Sequence, residues 1–151
     1  MPVITVDTPV GRIGIAERDS KIVQVLWSAT PNGEPTELLI ESARQMTAYF
    51  AGEIIKFDLP LDPGGNDLDL RVSTAMRSIP YGETRTYGEI AKQTALRPDE
   101  VGKGCAANPI PVIIPCHRVL SATGLGGYSG LGGIETKIAL LKLEGGYPFL
   151  L

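Results

Sequence analysis

A chain of 151 residues with 43% apolar side chains can bury a globular core, as one domain or as two small ones. No apolar run approaches the ~20 residues of a membrane span. The start Met1-Pro2-Val3-Ile4-Thr5-Val6-Asp7 lacks the charged opening and long apolar stretch of a signal peptide, so a cytoplasmic protein with reduced cysteines is expected. A formal net charge of −3 does not announce a nucleic-acid binder, although the acidic excess lies in residues 1–66 and the remainder is close to balanced. One histidine and two cysteines outside CxxC spacing cannot complete a Cys/His metal cluster, so neither a metal nor a cofactor is expected.

Residues 3–6, 11–16 and 22–27 carry β-branched side chains between turn signals and predict a small antiparallel meander. Residues 30–35 form a loop. Thr36 then caps a helix through about Phe50, with Leu38, Leu39, Ala43, Met46 and Phe50 at helical spacing and Gly52 as its stop. Residues 57–61 look like a short edge strand. The run 62–66, Asp-Pro-Gly-Gly-Asn, is the best linker, which divides the chain into residues 1–65 and 66–151.

Residues 67–79 predict a helix closed by Pro80. Thr86 caps a second helix from Tyr87 to about Ala95, and Pro98 opens a third to about Ala107, with Asp99 and Glu100 in its first turn. Two helices across a short turn read as a helix-turn-helix. Residues 108–115 read as extended, 120–133 as a glycine-rich loop and 135–144 as a last helix. The fold class is therefore α+β: an N-terminal antiparallel sheet with a helix, then a mostly helical domain.

Chemistry concentrates at Pro115-Cys116-His117-Arg118, where a thiol stands beside the only histidine after a short apolar run. A thiolate is a nucleophile and His117 is its natural base. A buried, inert cysteine is the ordinary alternative. Adjacent residues on a strand point to opposite faces, so direct contact between the two requires a turn at Cys116 or a bridging water.

Around this run lie Tyr81-Gly82-Glu83-Thr84-Arg85-Thr86-Tyr87-Gly88-Glu89-Ile90-Ala91, Asn108-Pro109-Ile110-Pro111, Gly124-Leu125-Gly126-Gly127-Tyr128-Ser129-Gly130 and Lys137-Ile138-Ala139-Leu140-Leu141-Lys142-Leu143-Glu144-Gly145. Together these blocks resemble the O6-alkylguanine-DNA alkyltransferases, also called methylated-DNA–protein-cysteine methyltransferases. The resemblance is dense from about residue 68 to 146 and faint before it. It implies irreversible, single-turnover transfer of an alkyl group from O6 of a flipped guanine in double-stranded DNA to Cys116, by a monomer. It also implies a relay of thiol, water, His117 and Glu144, with Asn108 bracing the turn around the cysteine. Tyr87, Tyr128, Ser129, Gly130 and Val119 match the base pocket.

Arg97, Asp99, Lys103, Ala106 and Arg118 are the DNA-binding set that the resemblance implies. Arg118, a charge within an apolar run, also needs an internal partner. One departure stands out: relatives read Arg-Ala-Val-Gly where this chain has Asp99-Glu100-Val101-Gly102, and phosphates repel a carboxylate. Either Asp99 and Glu100 serve the helix N-terminus while Arg97 or Lys103 contacts DNA, or the substrate has changed. Cys105 reads as a small buried residue and a second thiol near the first. Two alternatives follow: a cysteine acceptor for a non-duplex or small-molecule substrate, and a non-catalytic alkylguanine-binding module. Salt-dependent duplex binding separates the first of these from DNA repair, and Cys116→Ser separates the second.

Overall fold

The computed structural model describes residues 1–128, 130 and 132–146. The chain forms two compact units, Met1–Pro63 and Gly64–Leu151.

In the N-terminal unit, β1 (Val3–Thr8), β2 (Gly11–Arg18) and β3 (Lys21–Trp27) make an antiparallel meander in the order β1-β2-β3. Its register pairs Val6 with Ile13 and Ile15 with Val25, which places alternate apolar side chains on one face. That face packs on α1 (Glu37–Phe50), and Ile13, Ile15, Ile22, Leu39, Met46 and Tyr49 form the buried core. Thr36 caps α1 by accepting from the Leu39 N–H, and its hydroxyl donates to Glu17 Oε1 at 2.7 Å.

The expected edge strand at 57–61 is not a strand. Its only ladder element is an isolated parallel bridge from Ile22 to Leu61, because Pro60 has no N–H to donate. The Gln45 side chain substitutes for a neighbouring strand: Asp58 N–H donates to its Oε1 at 2.8 Å, and its Nε2 donates to the Asp58 carbonyl at 3.1 Å.

The C-terminal unit opens with α2 (Asp67–Arg77), capped by Asn66 in a reciprocal box with Asp69. This helix ends two residues earlier than its pattern suggests, since Ile79 precedes Pro80 and is biased away from helical backbone. A short strand β4 (Arg85–Thr86) leads into α3 (Tyr87–Thr94), where Thr86 and Glu89 form a second capping box. Ala95 turns the chain in left-handed conformation, and α4 (Pro98–Ala106) starts on its proline. The helices α2, α3 and α4 pack on one another. A Cβ at Gly104 would lie 2.7 Å from Val72, so only glycine permits this approach of α4 to α2.

The predicted extended stretch at 108–115 is instead coiled. Ile114 N–H donates to the Ile110 carbonyl at 2.9 Å, and Val112 has φ of 71°. Three prolines remove the donors a strand would need, and the chain folds back on itself. It then enters a single 3-10 turn, Cys116–Arg118, and a strand β5 (Val119–Leu120) parallel to β4. The last helix, α5, runs Ile134–Glu144. Among the described residues no helix is long and apolar enough to cross a membrane.

Candidate active site

Cys116 opens the 3-10 turn and is only 6% exposed. The turn breaks the strand-like alternation that would send Cys116 and His117 to opposite faces. Asn108 fixes the approach to it: its Nδ2 donates to the Ile114 carbonyl at 2.9 Å, and its Oδ1 accepts from the Ile110 N–H at 3.0 Å. Burial pushes the Cys116 thiol above its ordinary range, while a hydrogen bond from Asn108 and the charge of Lys137 pull it down.

Behind the thiol lies a buried polar cluster. His117 has no exposed surface, and its Nε2 donates to Glu144 Oε2 at 2.8 Å. That bond leaves Nδ1 as the lone-pair nitrogen, and Nδ1 is buried with no hydrogen-bond partner among the described residues. Burial is the main reason His117 sits below the usual imidazole range, with Glu144 pulling it upward. The Nδ1 lone pair is where the imidazole can accept a proton.

Glu144 is held from the other side by Arg118, whose Nε donates to Oε1 at 2.8 Å and Nη2 to Oε2 at 3.0 Å. Arg118 Nη1 donates to the Ile79 carbonyl at 2.7 Å, and the guanidinium lies 5.8 Å from the Tyr81 ring centroid. The Arg118 side chain, expected in the DNA-binding set, is buried and directed inward, with three of its N–H groups donated inside the protein.

A cavity of about 290 Å³ opens over the cysteine, walled by Tyr87 from α3, by Gly102, Cys105 and Ala106 from α4, and by Cys116, Gly127 and Tyr128. Burial raises both tyrosine hydroxyls above their ordinary range, and the neighbouring Cys116 thiol adds to the rise at each. Gly126, at φ of 72°, lets the loop close on Tyr87: a Cβ there would lie 3.1 Å from its ring. Of the expected pocket residues, Ser129 lies outside the described residues. Gly130 accepts from the Gly133 N–H at 2.9 Å. Val119 is buried in β5, where its carbonyl accepts from Lys137.

Beside the cavity mouth, Lys103 and Ala106 are exposed on α4. Asp99 is engaged by Arg97, whose Nε and Nη2 donate to it at 3.1 and 3.4 Å, and Glu100 caps the helix through the Arg97 N–H. Cys105 is buried in the cavity wall, and burial pushes its thiol up to about 12. Among the described residues no cluster of His, Cys, Asp or Glu could hold a metal ion.

Two residues were missed from sequence, Tyr81 and Lys137. Lys137 left a signal: on α5 it stands three, four and seven residues before Leu140, Leu141 and Glu144, in the stripe that faces the core.

Comparison with known proteins gives a consistent picture. Residues 67–146 match the family described as "6-O-methylguanine DNA methyltransferase, DNA binding domain", and residues 3–63 match "6-O-methylguanine DNA methyltransferase, ribonuclease-like domain". A methylated-DNA–protein-cysteine methyltransferase of Mycolicibacterium paratuberculosis is 41% identical over 150 residues, covering 93% of this chain and 90% of the relative. One from Methanosarcina acetivorans is 49% identical over 115 residues, covering 74% and 72%. Among solved structures, Mycobacterium tuberculosis OGT in complex with DNA superposes with a TM-score of 0.82 at 41% identity, covering 93% of this chain and 91% of that one.

Proposed function

Since the chain belongs to the 6-O-methylguanine DNA methyltransferase family, we propose that it repairs DNA by moving the alkyl group of O6-alkylguanine onto its own Cys116. The thiol proton passes to His117, through water, and the thiolate attacks the alkyl carbon. A sulfur–carbon bond forms and the carbon–O6 bond breaks, its electron pair staying on O6. The departing guanine regains a proton, for which Tyr87 in the cavity wall is the candidate donor. The products are guanine and an S-alkyl cysteine. No described residue of the site can reverse the thioether, so each molecule acts once.

The observation that carries this reading is the arrangement around the sulfur. Cys116 faces a cavity on one side, and the buried His117–Glu144 pair lies at 2.8 Å contact behind it. A base inside a duplex cannot reach such a cavity, so the target nucleotide must leave the stack. The half-buried Tyr87 and Tyr128 offer walls against which a flipped base can rest. Arg97, Lys103 and Ala106 on α4 are the candidates for contact with the duplex, and Asp99 tempers the field there. Two free thiols fit the reducing cytoplasm.

Intact-protein mass spectrometry after incubation with an O6-methylguanine duplex tests the proposal. One added methyl, mapped to Cys116, is the expected result. Benzyl transfer from free O6-benzylguanine without methyl transfer from DNA would instead favour a small-molecule substrate, the reading for which the Arg97–Asp99 pair speaks.

A further inference from the structure

Lys137 has no part in the transfer as described, yet it is more deeply buried than Arg118. An ammonium taken out of water is costly unless it is held. Its Nζ donates to the Val119 carbonyl at 2.7 Å and to the Gly127 carbonyl at 3.0 Å. Val119 ends the 3-10 turn that carries Cys116, and Gly127 is a wall of the cavity. One side chain thus joins the nucleophile's turn to the loop that shapes the pocket. Two carbonyl dipoles orient the ammonium but leave its charge to act on what surrounds it.

The ionisable groups within its field are Cys105 of α4 and Cys116 and His117 of the turn. Glu144, the nearby carboxylate on the same helix, is already engaged by Arg118 and His117. Building on the alkyl-transfer reading, we propose that Lys137 is a positioning residue that clamps the Cys116 turn to the cavity loop and supplies, at neutral pH, the positive charge beside which the thiolate forms. The same charge disfavours a second cation at His117, and so keeps the imidazole free as a base until the thiol proton arrives. Burial lowers the lysine itself to about 8, with both thiols drawing it upward, so the ammonium still predominates at neutral pH.

The test follows Cys116 by two reactions in a Cys105→Ser background, with and without Lys137→Gln. Carboxamidomethylation by iodoacetamide from about pH 6 to about pH 11, with the rate at neutral pH as a second readout, reads the thiol directly and needs no DNA. Methyl transfer from an O6-methylguanine duplex reads the proposed function. Glutamine can still donate to both carbonyls but carries no charge. The alkylation midpoint is expected to rise by about one pH unit, and both rates to fall about tenfold near neutral pH. An unchanged midpoint would overturn the assignment even if methyl transfer slowed. If the midpoint moves while the unsubstituted lysine protein transfers no methyl, the assignment stands and the alkyl-transfer reading fails. Should Lys137→Gln not fold, nitrogen NMR of the Lys137 ammonium replaces it. Its titration should move to lower pH in Cys116→Ser, and coincident curves would refute the coupling.

Discussion

Among its described residues the C-terminal unit contains two arginine–carboxylate forks of similar geometry and opposite consequence. Arg118 meets Glu144 at 2.8 and 3.0 Å with the carboxylate fully buried. Arg97 meets Asp99 at 3.1 and 3.4 Å with the side chains 72% and 57% exposed. Water and salt screen the second pair, so it adds little to stability and acts by cancelling charge at the start of α4. The first is unscreened, and losing either partner strands a charge in the interior. Location in the fold, more than distance, decides what an ion pair does.

Glu144→Gln breaks the buried fork most severely, because the amide leaves one oxygen to accept from Arg118 and His117, turns N–H groups toward their donors and removes the charge that Arg118 pairs with. Denaturant unfolding should show a loss of about 3–5 kcal/mol, and methyl transfer should slow about a hundredfold as the base loses its orienting carboxylate. Arg118→Met is milder, about 2–3 kcal/mol, since Glu144 keeps His117 as a partner. Arg118 also holds His117 down electrostatically. The imidazole should therefore titrate at higher pH in this variant, by NMR of the ring; an unmoved titration would mean that Arg118 only fills space.

The pH dependence of the native protein sharpens the same contrast. His117 lies below its ordinary value in the folded state, chiefly through burial. Between that value and about 6.5 the unfolded chain binds a proton that the native protein does not. The stability contributed by neutral His117 is complete above that window and is lost as pH falls through it. Urea midpoints should drop from pH 7.5 to pH 5.5, and His117→Asn should flatten the slope.

At the exposed fork the expected effects are smallest and fall on binding. Asp99→Arg should leave the urea midpoint unchanged. Duplex affinity should rise severalfold at low salt with a steeper salt dependence. An affinity that does not move would show that this end of α4 does not meet the duplex.

Much of this architecture was legible from local chemistry. Thr36, Thr86 and Pro98 announce the starts of α1, α3 and α4 because a helix N-terminus needs acceptors for its free N–H groups, or a residue without one. The stretch 108–115 was less legible, since the prolines that exclude a ladder do not say which way the chain turns. The segment 57–61 failed for a similar reason: its partner is the Gln45 side chain from α1, which no strand pattern contains.

The sequence by itself determined that Cys116, His117 and Arg118 stand together, and the surrounding blocks pointed to alkyl transfer. Only the tertiary structure separated the roles of those neighbours. It turned Arg118 inward to Glu144, 26 residues away, gave His117 the same carboxylate, and brought Lys137 to Val119 and Gly127. Caps and turns are set by a few adjacent residues. The partner of a buried charge is set by how helices pack, and that packing is spread over the whole unit.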